Sequence, residues 1–276
     1  MKREITLYNG VKVPTIALGT WQIPDGKDCY DSVMYALKAG YRHIDTAAAY
    51  GNERSVGQAI KDSKIDRKEV FITTKLPAEI KDYEMAKKYF NDSLANLGVD
   101  YIDLYLIHAP WPWNEIGKDC RKENIEIWKA FIEFYNQKKV RAIGVSNFHP
   151  FEIDYLVEAT NFVPMANQIL FFIGNRQQET YDYCMKHNIA IEAYSPLATG
   201  RILGNELLQK LADKYNCSVA KICLAYCLQK GTIILPKSTH QERIEANFNV
   251  DIILSKEDMD YLDSLDELTY KKKGRS

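Results

Sequence analysis

The chain has 276 residues, with 36 Lys plus Arg against 37 Asp plus Glu and 46% hydrophobic residues, enough to bury a large core. A formal net charge of -1, with no basic stripe interleaved with aromatics, argues against a nucleic-acid partner. Met1-Lys2-Arg3-Glu4-Ile5 lacks the apolar core of a signal peptide, and no run approaches the roughly 20 apolar residues of a membrane span, so a cytoplasmic protein with no membrane partner is expected.

The six cysteines, Cys29, Cys120, Cys184, Cys217, Cys223 and Cys227, stand singly, the pattern of reduced thiols rather than of a disulfide framework. Cys223 and Cys227 lie one helical turn apart and read as a buried helix face, because two thiols without a histidine or a second cysteine pair do not complete a zinc site. No metal is expected. Lys271-Lys272-Lys273-Gly274-Arg275 reads as a solvated terminus.

Residues 3–8 alternate, and Asn9-Gly10 then separates them from Val11-Lys12-Val13-Pro14, which predicts a β-hairpin. From Thr15 onward short apolar runs alternate with segments of helical spacing. Strands are predicted at Thr15–Leu18, Arg42–Asp45, Val70–Thr74, Ile102–Ile107, Val140–Val145, Pro164–Asn167, Ala190–Ala193 and Thr232–Leu235. Helices are predicted at Lys27–Ala39, Glu53–Ser63, Tyr83–Leu97, Lys122–Lys138, Pro150–Ala159, Gln177–His187, Ser218–Gln229 and Gln241–Val250. Two further helices are expected at Glu206–Tyr215 and Lys256–Leu265, the second with Ser255 as N-cap and an acidic first turn. Eight strand–helix units without a linker or composition shift imply one domain over 1–276, an α/β fold closed into a (β/α)8 TIM barrel. An open doubly wound sheet would place G-x-G-x-x-G after its first strand, and neither that triplet nor G-x-x-x-x-G-K-[ST] occurs.

The residues at the strand ends converge on one rim: Thr20 and Trp21, Asp45 and Tyr50, Lys75, His108, Ser146 and Asn147, Gln168, Tyr194 and Ser195, then Lys237, Ser238 and Thr239. Taken singly each has a plain reading, a solvated strand end for Lys75, a satisfied core histidine for His108, a capped turn for Asp45; together they suit one chemistry. A phenol titrates near 10 and needs a neighbouring cation to exchange protons at neutral pH. Lys75 supplies that charge, Asp45 pairs with the lysine, and His108 offers a hydrogen bond to the same substrate oxygen. Such a group protonates a developing alkoxide or, in reverse, deprotonates an alcohol, and with no covalent nucleophile present it calls for a hydride from a cofactor. Ser146, Asn147 and Gln168 suit a carboxamide, Tyr194 a flat ring, and Pro236-Lys237-Ser238-Thr239 with Arg243 a phosphate at a helix start.

These motifs resemble the aldo-keto reductase family from the hairpin to the last helix. They are Leu18-Gly19-Thr20-Trp21, Ile44-Asp45-Thr46-Ala47-Ala48-Ala49-Tyr50-Gly51-Asn52-Glu53, Thr74-Lys75, Leu106-Ile107-His108, Gly144-Val145-Ser146-Asn147-Phe148, Asn167-Gln168, Ala193-Tyr194-Ser195-Pro196-Leu197 and Pro236-Lys237-Ser238. The resemblance implies a barrel closed at its bottom by the hairpin and a tetrad of Asp45, Tyr50, Lys75 and His108. Tyr50 would be the general acid, its pKa lowered by Lys75 and Asp45, with His108 orienting the carbonyl of an aldehyde or ketone. NADPH (NADP+ in the reverse oxidation of alcohols) would bind extended, against Thr20, Ser146, Asn147, Gln168, Tyr194, Ser195, Leu197, Thr239 and Asn247. Lys237, Ser238 and Arg243 match the positions that meet the adenosine 2'-phosphate, which makes NADH the weaker cofactor.

Ala246 departs from the family, where a Glu commonly reaches the adenine. The loop Thr199–Gly204 and the tail after Leu265 are short, as in bacterial-type members that reduce small aldehydes, dicarbonyls and keto sugars. Trp21, Tyr50, His108, Trp111 and Trp113 would line the mouth for a small carbonyl substrate, and a monomer is expected. The alternative is a cofactor-binding regulatory subunit of a membrane channel on the same fold; the complete tetrad favours the enzyme.

Overall fold

In the computed structural model, which describes residues 2–266, the Asn9-Gly10 turn joins β1 (Glu4–Thr6) to β2 (Lys12–Pro14) in an antiparallel ribbon with Ile5 opposite Val13. Gly10 supplies the left-handed φ of +85° that such a turn requires. Leu7 and Val13 are buried with Leu104, Ala142, Ala166 and Ile233 of the barrel interior, so the ribbon closes the barrel floor as expected.

Beyond the ribbon, strand and helix alternate: β3 (Leu18–Gly19), α1 (Lys27–Ala39), β4 (His43–Asp45), α2 (Glu53–Asp62), β5 (Phe71–Leu76), α3 (Tyr83–Leu97), β6 (Ile102–Ile107), α4 (Arg121–Asn136), β7 (Val140–Ser146), α5 (Pro150–Thr160), β8 (Ala166–Leu170), α6 (Gln178–Lys186), β9 (Ala190–Tyr194), α7 (Glu206–Lys214), α8 (Val219–Gln229), β10 (Ile233–Leu235), α9 (Gln241–Phe248) and α10 (Lys256–Ser264). Strands β3 to β10 stand side by side in chain order, each pair parallel. The seam is closed by Ala17, whose N–H donates to the Ile234 carbonyl at 2.9 Å, and by Ile234, whose N–H donates to the Thr15 carbonyl at 2.9 Å. A (β/α)8 barrel results, with α7 and α10 as the extra helices. The basic run Lys271–Arg275 lies outside the described residues.

Both faces of a barrel strand are covered, by the interior on one side and the helix ring on the other, which is why β5 and β6 are buried at every position. Interior packing is tight enough to dictate residue size. A Cβ on Gly144 would come within 2.5 Å of the Ala166 carbonyl oxygen and 2.8 Å of Leu106 Cδ2. Outside, Asp82 accepts the Met85 N–H to start α3, and Ser255 accepts the Asp258 N–H to start α10, the cap that the sequence predicts. Cys223 and Cys227 are fully buried on α8, which packs against α7, α9 and β10.

Several predicted strand bounds need correction. The regular part of the first strand is Leu18–Gly19, the two residues in the ladder to β4; the backbone N–H groups of Thr15 and Ala17 donate instead to Arg3 and, across the seam, to Ile234. Strands β5, β7, β8 and β9 run one to three residues further than the apolar runs suggest, so Lys75, Ser146, Gln168 and Tyr194 stand on strands instead of following them. Burial in a barrel hides polar inward residues from a reading based on hydropathy.

Candidate active site

At the end of β4 the chain sets down Asp45 and then makes one 3-10 turn over Ala48–Tyr50, ended by Gly51 at φ 71°. Asn52 pins it: fully buried, it donates to the Thr20 and Ile23 carbonyls at 3.0 Å each and accepts from the Thr46 hydroxyl at 2.7 Å. Tyr50 is therefore held by a network reaching across to the loop after β3.

The parallel register sets Lys75 of β5 beside this turn, and its ammonium is fully buried. The ammonium donates to both Asp45 carboxylate oxygens at 2.8 and 2.9 Å, to the Thr46 carbonyl at 2.8 Å and to the Tyr50 hydroxyl at 3.4 Å. Burial alone would neutralise such a lysine, but Asp45 and Tyr50 outweigh it and its pKa stands above the ordinary value. His108 follows β6, its ring edge-on to Tyr50 with centroids 5.6 Å apart. Burial and the charge of Lys75 hold its imidazole down to about 3, so it is neutral, and its Nδ1 has no partner among the described residues. Tyr50 differs from expectation. Burial raises its phenol, Lys75 draws it back and Asp45 pushes it up again, so the net shift is upward instead of downward. The phenol thus rests protonated, and what Lys75 provides is a charge beside the phenolate that proton donation would leave.

The other half of the rim is an interlocked set of amides and hydroxyls. Ser146 donates to the Gln168 carbonyl at 2.9 Å; Asn147, at φ 61°, donates to Ser146 Oγ and to the His108 carbonyl at 3.0 and 3.1 Å, and accepts from the Tyr194 hydroxyl at 2.9 Å. Gln168 gives both amide hydrogens to carboxyls, Asp45 Oδ1 at 2.8 Å and Glu192 Oε2 at 2.7 Å, which leaves its Oε1 as acceptor for a ligand amide. Thr20 is fully buried with its hydroxyl donated to the Asp45 carbonyl at 3.0 Å, whereas Ser195 and Leu197 are half-buried beyond β9. Lys237 and Arg243 are exposed and make no ion pair among the described residues; Ser238 accepts the His240 N–H at 3.1 Å, Thr239 is half-buried, Asn247 is buried and Ala246 exposed. Trp21 and Trp113 are exposed at the mouth, and Trp113 lies edge-on to His108 at 5.6 Å and to Trp111 at 5.3 Å.

The Aldo/keto reductase family model matches residues 15–267. The chain belongs to the aldo/keto reductase family. It is 43% identical to a glyoxal reductase of Bacillus subtilis over 97% of this chain and 94% of that one, and 43% identical to a 9,11-endoperoxide prostaglandin H2 reductase of Trypanosoma cruzi over 95% and 91%. A crystal structure of an aldo/keto reductase from Brucella melitensis superposes with a TM-score of 0.89 at 40% identity, covering 95% of this chain and 99% of that one. This aldo/keto reductase is accordingly an oxidoreductase, in a family that generally uses NAD(P)H. The donor set fits such a cofactor, with the Gln168 amide oxygen and the Tyr194 ring on the same rim as Asp45 and Lys75, and with Lys237 and Arg243, just before and within the first turn of α9, in no ion pair among the described residues.

Sequence reasoning missed the layer beneath Asp45 and Lys75. His43, Thr73 and Glu192 point inward and are fully buried. A signal existed for Glu192: it interrupts the apolar run Ala190-Ile191-Glu192-Ala193-Tyr194 and sits two residues before Tyr194, hence on the same strand face. Asn52 was missed too, because its position in a helix-start motif suggests a cap, yet its side chain makes no cap bond.

Proposed function

We propose that this aldo/keto reductase is an NADPH-dependent reductase of small aldehydes and ketones, working reversibly on the corresponding alcohols, with Tyr50 as proton donor. The observation that carries the reading is the fully buried Lys75 ammonium bonded at once to Asp45 and Tyr50. Reduced nicotinamide, when bound, supplies the hydride to the carbonyl carbon. The chain's own task is the oxygen. Neutral His108, with no partner on Nδ1, is free to carry its proton on Nε2 and donate it to the substrate oxygen, fixing the carbonyl beside Tyr50. Tyr50 gives its proton to the developing alkoxide, and Lys75 stabilises the phenolate left behind. Asp45 keeps Lys75 charged.

Ser146, Asn147, Gln168 and Tyr194 would hold the nicotinamide; Lys237, Ser238 and Arg243 would meet a 2'-phosphate, which favours NADPH over NADH. Trp21, Trp111 and Trp113 give an apolar, weakly discriminating mouth. The likeness to a glyoxal reductase supports small dicarbonyls among the substrates.

Tyr50→Phe removes one hydroxyl. NADPH binding, followed by quenching of tryptophan fluorescence, should survive, while turnover of a reactive aldehyde should fall by about 100- to 10,000-fold, the usual contribution of a general acid. Turnover within a few-fold of wild type would remove Tyr50 from the role of acid.

A further inference from the structure

Directly below the tetrad lies a second carboxyl that the proposed chemistry does not use. Glu192 is fully buried on β9, its Oε2 accepts a hydrogen bond of 2.7 Å from Gln168 Nε2, and its Oε1 has no hydrogen-bond partner among the described residues. The same Gln168 nitrogen donates its other hydrogen to Asp45 Oδ1 at 2.8 Å. One amide group thus spaces two buried carboxyls, of which Lys75 pairs with only one.

Every group facing Glu192 bears on its charge. From β4 come His43 and Asp45, from β5 Lys75, from β8 the neutral amide of Gln168; β10 offers only Ile233 and Leu235 to the interior. His43 Nδ1 faces the Pro14 carbonyl at 3.1 Å, which can only accept, so that nitrogen carries the proton, and Nε2 at 2.8 Å from Thr73 Oγ1 accepts the threonine hydrogen. Burial and Lys75 hold His43 down to about 4, so no imidazolium compensates a charge on Glu192 Oε1, 3.7 Å away. Burial, then Asp45, push the Glu192 carboxyl up to about 8, Gln168 and Lys75 opposing them less strongly.

We propose that Glu192 is kept as a neutral carboxylic acid at neutral pH and is a positioning residue of the reductase, anchoring Gln168 so that Asp45 stays aimed at Lys75. Its proton sits on Oε1, since Oε2 already accepts from Gln168. While Glu192 is neutral, Asp45 is the one negative charge beside Lys75. Once Glu192 ionises, a second carboxylate offsets the effect of Lys75 on Tyr50, and Tyr50 becomes a poorer acid.

The inference rests on the reductase reading above, and its test separates the two. With saturating NADPH and aldehyde, the kcat of the wild type falls about threefold or more between pH 7 and pH 9. Glu192→Ala, which frees Gln168, loses about tenfold or more at pH 6.5, mainly in kcat. Glu192→Gln keeps an acceptor for Gln168 and cannot ionise, so it recovers most of that loss and its profile stays flat from pH 7 to pH 9. Lys81, held down to about 8 by burial, titrates in the same window but donates to Ala109 and Asn124 outside the barrel, and it is unchanged in Glu192→Gln. An alkaline fall that persists in Glu192→Gln, or an Ala variant as fast as wild type, overturns the proposal.

Infrared difference spectra of the wild-type protein with NADP+ bound give a readout that needs neither turnover nor a folded variant. A buried protonated carboxyl band present at pH 7 and bleached above pH 9 supports a neutral Glu192; no such band at pH 7 overturns it. The band is independent of whether Tyr50 is the acid, so a failed Tyr50→Phe prediction and a failed Glu192 proposal are told apart.

Discussion

His43 and His108 are two imidazoles that the fold keeps neutral, and their cost falls on the acid side. Both have native pKa values below the ordinary 6.5, at about 4 and about 3. As pH falls from 6.5 towards 4 the unfolded chain takes up protons that the native site refuses, so stability is lost by up to about 1.4 kcal/mol per pH unit for each imidazole. Glu192 has the opposite sign: its native value of about 8 lies above the ordinary 4.5, so its contribution is full below 4.5 and declines as pH rises towards 8. Urea unfolding at pH 6 and pH 4.5 should show His108→Asn with a shallower acid loss than wild type, by up to about 1.4 kcal/mol per pH unit. Equal slopes would mean that His108 does not resist protonation in the native state. The gathering of Asp45, Tyr50, Lys75 and His108 at one rim was legible from sequence because each stands at or shortly past the end of a strand. The pairing geometry that decides its charges was not. The expectation of a lowered Tyr50 pKa failed for that reason: it counted the neighbouring lysine and left out burial, which a linear reading does not report.

Helix α2 follows Tyr50 after a two-residue turn, and at Gly57 it packs closely against backbone. A Cβ on Gly57 would lie 2.1 Å from the Leu97 carbonyl oxygen and 2.8 Å from its Cα, where α2 crosses the end of α3. Backbone cannot swing aside as a side chain can. Gly57→Ala should therefore destabilise at or above the upper end of the roughly 1–3 kcal/mol typical of overpacking, despite the better helix propensity of alanine. Gly204→Ala is the control, with open space around its Cβ, and should leave the urea midpoint nearly unmoved. A midpoint for Gly57→Ala equal to that control would show that α2 and α3 separate at little cost. Helix spans were the most readable elements, α1 and α3 to the residue and the others to within two residues at either end, since amphipathic spacing and caps such as Ser255 are local signals. The strand that opens the barrel was read less well, because Thr15 to Gly19 divide their hydrogen bonds among Arg3, β4, Ile234 and Pro236, and nothing local announces a partner more than two hundred residues away.

For the whole molecule, the charge balance is even, yet the proposed cofactor site is not neutral. Lys237 and Arg243 stand exposed without ion-pair partners among the described residues, whereas many of the other surface cations are paired within the chain. Replacing both with serine should raise the Kd for NADPH about tenfold or more while moving that for NADH less than about twofold, measured by fluorescence titration at constant salt. Equal losses for both cofactors would take these two residues away from the 2'-phosphate. The barrel was inferable as a count of strand–helix units, but its closure, like the cluster of Asp45, Lys75, Gln168 and Glu192, exists only in three dimensions. That closure joins Ala17 to Ile234, so in a chain emerging from the ribosome the first barrel strand lacks a partner on one edge until β10, the last strand, is made. Any sheet that β3 to β9 form before β10 is made has two open edges, a liability that the finished barrel no longer displays.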